Sequence, residues 1–221
     1  PVATAVVPIS AGRHIYKREP SFPIAVACDP AFNFVYEANI RYLHHLGEVT
    51  YFSPLADTSL PDVGFVYLPG GYPELYLAAL SANRQMLQSI RRYVESGGKL
   101  LAECGGMMYL CDEIRDKNGD VYPMAGVLHQ SATMENMKLR LGYRTLLYNE
   151  TRLKGHEFHY SRLVEQQNPL PSCAVAYTAK GVETDTPLYH YKNVWAGYTH
   201  LYWADPVGNE WFTKFVIDGN T

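Results

Sequence analysis

No block of basic residues, no C-x-x-C pair and no apolar run near the roughly 20 residues that span a bilayer occurs in this 221-residue sequence. With 19 basic against 22 acidic residues and a net charge of −3, the chain has no electrostatic draw toward nucleic acid or anionic membrane. Its partners are expected among small molecules and proteins. Cys28, Cys104, Cys111 and Cys173 stand apart from one another, which argues against a zinc ribbon, a dithiol redox motif or a disulfide framework. The start, Pro1-Val2-Ala3-Thr4, carries neither a basic n-region nor an apolar h-region, so the expected location is cytoplasmic. What is present is 47% hydrophobic content, enough for a buried core.

Residues 1–22, with Pro1, Pro8 and Pro20 and the basic cluster Arg13, His14, Lys17 and Arg18, resemble an interdomain linker or the end of a preceding domain. From Pro23 onward, strand-length apolar runs alternate with helical patterns, the mark of a parallel sheet covered by helices, and residues 23–221 are expected to form one domain. Strands are expected at Ile24–Cys28, Val49–Phe52, Val63–Leu68 and Lys99–Glu103, with helices at Phe34–Leu46 (closed by Gly47), Arg84–Glu95 and Met107–Ile114. Pro69-Gly70-Gly71-Tyr72-Pro73-Glu74 is a turn. The second half is less regular: strands at Lys138–Tyr148, Glu157–Tyr160, Cys173–Thr178 and Val194–Tyr202, then a helix over Asn209–Ile217.

The most informative stretch is Leu100-Leu101-Ala102-Glu103-Cys104-Gly105-Gly106-Met107, where a strand ends, a cysteine follows, and two glycines open a helix. This is the layout of a nucleophile elbow, G-x-[S/C]-x-G, with Ala102 in place of the first glycine. Such a corner presents sulfur above the carboxyl edge of the sheet and at a helix N-terminus, which favours thiolate. An ordinary thiol is only about 3% ionised at pH 7, and a helix end supplies about 0.3–2 kcal/mol, so a histidine is expected to assist. A buried, inert cysteine is the alternative, and Cys28, Cys111 and Cys173 are assigned to it.

Among the eight histidines, His14 falls in the linker, His44 and His45 end an amphipathic helix, and His129 and His190 have no constellation around them. His156 and His159 lie three apart in His156-Glu157-Phe158-His159, which on a strand directs them to opposite faces and does not match H-E-x-x-H; no metal site is expected. His200, late in the chain at the end of a strand-like run, can fold back onto the sheet edge that carries Cys104.

Eight motifs in order then resemble one family: Asp29-Pro-Ala-Phe-Asn-Phe-Val-Tyr36, Phe52-Ser-Pro-Leu55, Leu68-Pro-Gly-Gly-Tyr-Pro-Glu-Leu75, Leu80-Ser-Ala-Asn83, Ala102-Glu-Cys-Gly-Gly-Met-Met-Tyr-Leu110, Gly142-Tyr-Arg144, His156-Glu-Phe-His-Tyr-Ser161 and Gly197-Tyr-Thr-His200. From about Ile24 to Phe215 the chain resembles the C-terminal glutamine amidotransferase domain of the cobyrinic acid a,c-diamide synthases. The resemblance implies an α/β fold of the class I glutamine amidotransferase type: an open, mostly parallel, flavodoxin-like sheet flanked by helices. It implies that Cys104 attacks L-glutamine to form a γ-glutamyl thioester and that His200 activates the thiol and protonates ammonia. Gly71 and Gly105 then fit as oxyanion donors, and the backbone of His159, Tyr160 and Ser161 as the cradle of the glutamine α-carboxylate. A partner domain outside this chain is implied to use ATP and Mg²⁺ on two carboxylates of a corrinoid precursor.

Two departures bear on this reading. Classical amidotransferases carry Glu two residues after the catalytic histidine, whereas Tyr202 stands here; a phenol can orient an imidazole but brings no charge at pH 7. The phosphate loop G-x-x-x-x-G-K-[S/T] is missing, since the one Gly-Lys pair, Gly98-Lys99, is followed by Leu100, so nucleotide binding falls to residues outside this chain. The acceptor (cobyrinic acid, hydrogenobyrinic acid or a nickel sirohydrochlorin) and the oligomeric state, a homodimer among the options, stay open. Another Cys-dependent α/β hydrolase and a non-catalytic interaction domain are the alternative readings.

Overall fold

A computed structural model describes residues 22–218. In chain order the strands are β1 (Phe22–Ala27), β2 (Gly47–Phe52), β3 (Phe65–Leu68), β4 (Lys99–Glu103), β5 (Glu113–Arg115), β6 (Val121–Pro123), β7 (Ser131–Thr133), β8 (Arg140–Tyr148), β9 (Thr151–His159), β10 (Arg162–Leu163), β11 (Val175–Thr178), β12 (Glu183–Thr184), β13 (Leu188–Tyr191), β14 (Val194–Gly197) and β15 (His200–Tyr202). The helices are α1 (Glu37–Leu46), α2 (Leu77–Ala82), α3 (Arg84–Glu95), α4 (Gly105–Leu110) and α5 (Pro206–Thr213).

The central sheet has the order β13-β14-β4-β3-β1-β2 and is parallel except for β13. Its inner strands β1, β3, β4 and β14 are buried on both faces over most of their length, as a sheet covered on both sides requires, while the edge strand β2 is largely exposed. On β1 the alternation divides the core: Ala25 and Ala27 face Met86, Ile90 and Val94 of α3, while Ile24 and Val26 face Leu43 of α1 and Phe212 of α5. A second sheet, β12-β11-β8-β9-β15, is antiparallel among its paired strands and lies beyond the carboxyl edge; a small four-stranded sheet, β10-β7-β5-β6, completes the set.

Several elements depart from the sequence reading for identifiable reasons. Helix α1 starts at Glu37 instead of Phe34, because the Phe34 N–H donates to the Gly70 carbonyl at 3.0 Å and keeps the chain extended. Gly47 does cap α1, its N–H reaching the Leu43 carbonyl, but it is extended and already pairs with Phe22 in β2. Helix α4 ends at Leu110, well short of Ile114: Cys111 turns extended, the N–H groups of Val127 and Leu128 take the Leu110 carbonyl, and Ile114 passes into β5.

The expected Val194–Tyr202 strand is two strands in different sheets, parted at Tyr198-Thr199. Strand β9 begins six residues before the expected Glu157, because β8 and β9 form a hairpin whose turn residues, Asn149 and Glu150, both take positive φ (43° and 67°). That turn is of the kind usually signalled by Asn-Gly, and glutamate at its second position conceals it. Helix α2 was not expected, and the last helix starts earlier, at Pro206, capped by the Asp205 carboxylate at the Gly208 N–H (2.7 Å). Of the expected linker only Phe22 is described, and it belongs to β1; residues 1–21 lie outside the described residues. Among the described residues no helix is long and apolar enough to cross a membrane.

Trp195 is fully buried where Tyr148, His190, Trp211 and Phe215 converge. Trp195→Ala is expected to cost about 3–5 kcal/mol in chemical denaturation, whereas Tyr143→Ala, at a side chain 74% exposed, is expected to stay within about 0.5 kcal/mol of the parent.

Candidate active site

Three backbone segments meet at the carboxyl end of β3 and β4, and glycine is what lets them meet. Cys104 lies between β4 and α4 with φ 48° and ψ −106°, a left-handed conformation that costs a non-glycine residue about 1–3 kcal/mol. A Cβ on Gly106 would come within 2.1 Å of the Leu68 carbonyl oxygen, and one on Gly105 within 2.7 Å of the Pro73 ring and 3.2 Å of the Gly71 nitrogen. A Cβ on Gly71 would strike the Ala31 carbonyl at 2.1 Å, and one on Gly70 the His200 ring at 2.1 Å. The elbow, the Gly-Gly turn and the histidine therefore interlock. Strand β14 ties the elbow down from the other side: the Cys104 N–H donates to the Gly197 carbonyl at 2.7 Å, and the chain reaches His200 three residues later.

Cys104 and His200 line one small cavity together with Phe34, Gly71, Tyr72 and Phe158. An adjoining cavity is lined by Gly71, Tyr72, Glu74, Cys104, Met108, Phe158, His159, Tyr160 and Ser161. The expected site residues thus come together around the sulfur, Gly105 forming the corner beneath it. Each cavity holds about 10–20 Å³, room for about one water, so the site is closed, with half-exposed Tyr72, Phe158 and Tyr160 around it.

The electrostatics correct one expectation. Burial first, then the negative charge of Glu74, pushes the Cys104 thiol up to about 12, against a hydrogen bond from the Gly105 N–H. Helix α4, a mere six residues, does not offset this, and in the closed cavity the sulfur is a thiol, not the expected thiolate. His200 is pushed the other way, down to about 3, by burial and then by His156 and His159, so it is neutral too. The resting pair carries no charge.

His200 is held without the carboxylate of a triad. Its ring stacks on His156, its cross-strand partner in β9, at 5.1 Å between centroids, and meets the Phe34 ring edge-on at 4.4 Å. Tyr202, which stands where classical relatives carry Glu, touches the Tyr36 ring and makes no hydrogen bond to His200; the buried His200 Nδ1 has no partner. Tyr36 instead shares a 2.7 Å hydrogen bond with His156 Nδ1. Tyr36, His156 and Glu74 sit inside recognised motifs yet had no assigned role; for His156, and for Tyr36 bonded to it, the β9–β15 register that sets His156 beside His200 is not written in local sequence.

His159 Nδ1 is 2.8 Å from the Ser161 carbonyl, and its ring lies flat on Tyr198 at 3.8 Å. Behind it, buried Glu157 pairs with Arg144 at 2.7 Å, which gives Gly142-Tyr-Arg144 a structural use. Next to the nucleophile, Glu103 is buried, accepting from the Tyr67 hydroxyl at 2.6 Å and the Leu201 N–H at 3.1 Å, and burial raises its carboxyl to about 7. Among the described residues no cluster of three or more His, Cys, Asp and Glu side chains is placed to hold a metal ion.

An elbow cysteine with a histidine beside it, on a mostly parallel sheet, defines the class. The fold is that of the glutamine amidotransferases: the PurLQS structure from Thermotoga maritima superposes with a TM-score of 0.59 at 16% identity, covering 90% of this chain and 99% of that one. A crystal structure of a glutamine amidotransferase gives 0.56 at 16% identity, covering 87% and 98%.

Within that class the chain belongs to the CobB/CobQ-like glutamine amidotransferase domain family, which matches residues 23–207. It is 40% identical over 185 residues to hydrogenobyrinate a,c-diamide synthase of Pseudomonas aeruginosa, covering 81% of this chain and 41% of that protein. It is also 40% identical over 188 residues to cobyrinate a,c-diamide synthase of Fusobacterium nucleatum, covering 81% and 41%. The chain thus spans about two fifths of the length of these relatives. Family membership displaces the reading as some other Cys-dependent hydrolase.

Two measurements follow from the charges. Alkylation of Cys104 by iodoacetamide without substrate, read by mass spectrometry at that peptide, is expected to keep rising through pH 10; a plateau near pH 7 would contradict a buried neutral thiol. Glu103, held at about 7 folded against an ordinary 4.5, binds more protons in the native state between those values. Its contribution to stability is therefore full below about pH 4.5 and is lost as pH rises to 7, by about 3 kcal/mol. Glu103→Gln is expected to be the more stable protein at pH 8 and to lose that margin below pH 4.5 in denaturation series.

Proposed function

We propose that this chain is the glutaminase unit of an ATP-dependent amide ligase that amidates the a and c carboxylates of cobyrinic or hydrogenobyrinic acid in cobalamin biosynthesis. The observation that carries the glutaminase is the shared cavity of Cys104, His200 and Gly71. The acceptor follows the names of the relatives, cobyrinate and hydrogenobyrinate a,c-diamide synthases, and these two compounds remain equal alternatives here. Residues 23–221 are the glutaminase domain, and residues 1–22 are a connection to an ATP- and Mg²⁺-using domain of the same protein.

In the proposed reaction the Cys104 sulfur attacks the side-chain amide carbon of L-glutamine while the thiol proton passes to His200. The tetrahedral oxyanion lies against the N–H groups of Gly71 and Gly105, held close because neither residue has a Cβ. The C–N bond then breaks, the His200 proton leaves with the nitrogen as ammonia, and a γ-glutamyl thioester remains. Water, activated by the now neutral imidazole, hydrolyses the thioester to glutamate and regenerates the thiol. One oxyanion donor of this kind is worth about 10²–10³ in rate. The backbone at His159, Tyr160 and Ser161 holds the substrate α-carboxylate; among the described residues the N–H groups of Tyr160 and Ser161 have no backbone acceptor.

A glutamine-analogue diazoketone is expected to modify Cys104 and no other cysteine. Cys104→Ser and His200→Asn are each expected to lower ammonia release from glutamine by about 10³-fold or more, measured on the full-length protein with ATP and acceptor. Wild-type protein that neither labels at Cys104 nor releases ammonia under those conditions would return the chain to the reading as a non-catalytic interaction domain.

A further inference from the structure

Three carboxylates stand near the Cys104 sulfur, and two are accounted for by the fold. Glu157 is paired with Arg144, and Glu103 receives the Tyr67 hydroxyl and the Leu201 N–H. Glu74 differs. It sits in the helical turn Pro73–Leu75, whose buried proline ring packs beneath Gly105, and its side chain lines the cavity that holds the sulfur. No lysine, arginine or histidine among the described residues forms an ion pair with it; the hydrogen bond it accepts comes from its own backbone N–H.

By itself such a group is a liability. It is the foremost charged contributor to the suppression of the thiolate, which a nucleophile does not need. The liability is removed when the arriving substrate brings a positive charge. The same cavity is lined by Tyr160 and Ser161, whose N–H groups have no backbone acceptor among the described residues and are complementary to an anion. One cavity thus brings together a carboxylate, two N–H groups and the Cys104 sulfur, a set complementary to a zwitterionic α-amino acid.

We propose that the Glu74 carboxylate receives the α-ammonium group of the substrate, so that Glu74 selects glutamine over primary amides that lack an amino group. The proposal rests on the glutaminase reading and adds the specificity element to it. It also gives binding a second consequence: once the ammonium neutralises Glu74, the field opposing thiolate formation falls at the moment the amide carbon is in place. The other titratable groups around the sulfur are placed by the fold: Glu103 by Tyr67 and Leu201, Glu157 by Arg144, His159 by Ser161 and Tyr198, and His200 by the rings of His156 and Phe34.

The test uses binding, which does not depend on turnover. Protein with Cys104→Ser is titrated calorimetrically with L-glutamine and with glutaramate, the same amide without the α-amino group, with and without Glu74→Gln. With Glu74 present, L-glutamine is expected to bind about 10–100-fold more tightly than glutaramate, the range for a charge-assisted hydrogen bond. With Glu74→Gln the two are expected to fall within about threefold, while Glu74→Asp keeps most of the preference. Thermal unfolding of each variant reports on folding, and Glu74→Asp separates loss of charge from local disruption.

A preference that survives Glu74→Gln, or no preference or binding with Glu74 present, overturns the proposal. Ammonia release by the wild-type protein is measured alongside. Turnover together with an unaltered preference in Glu74→Gln removes Glu74 and leaves the glutaminase standing; a preference abolished by Glu74→Gln without wild-type turnover keeps the ammonium site and removes the chemistry.

Discussion

The closeness of two backbone turns governs this molecule's active end. The elbow at Cys104–Gly106 and the turn at Pro69–Gly71 approach so nearly that a single Cβ at Gly70, Gly71, Gly105 or Gly106 would enter a carbonyl, a proline ring or the histidine. Backbone N–H groups are rigid, uncharged donors, and bringing two of them beside one sulfur requires removing the side chains that would keep them apart. The strain of Cys104 at φ 48° belongs to the same arrangement: a strand must turn into a helix within one residue for sulfur to project from the sheet edge. The two strands beneath it, β3 and β4, are almost wholly buried and paired in register, which supplies the stable platform that strain requires.

Burial makes that platform stable and also sets its chemistry. The same exclusion of water that orders the elbow raises the thiol and lowers the imidazole, so a closed site stores its nucleophile in the unreactive form. A helix end of six residues is too weak to oppose desolvation of this extent, whose cost for a fully buried ion is several kcal/mol. The charge needed for attack must therefore come with opening or with substrate.

Most of what positions the chemistry was legible locally. Strands β1 and β3 are apolar runs and β4 has an apolar centre, α3 has a clear apolar stripe, and the strand-Cys-Gly-Gly-helix order singles out Cys104 without reference to anything distant. His200 could be placed near Cys104 only in outline. Its pairing with His156 is a matter of register between β15 and β9, and the hairpin that sets β9 turns on Asn149-Glu150, a pair whose positive φ values no local pattern announces. Tyr36 was hidden for a related reason: it looks helical by spacing, and only the bond from Phe34 to Gly70 holds it extended and within reach of His156. Ionisation state was not legible at all, since it depends on how completely three separate segments exclude water from one sulfur.

The missing carboxylate of the triad has a physical replacement. In a Cys-His-Glu arrangement the acid fixes the tautomer and direction of the imidazole and favours its cationic form. Here direction is fixed by shape: Gly70 presses on the His200 ring at one side, and Phe34 and His156 contact it with their rings. Position is fixed by the backbone, because the Cys104 N–H is bonded to Gly197, from which Tyr198 and Thr199 lead straight to His200. What shape and backbone do not supply is negative charge: among the described residues no carboxylate is bonded to His200 Nδ1. Geometry is thus what this pair has in place of charge, and Tyr202 lies on Tyr36 instead of on the histidine.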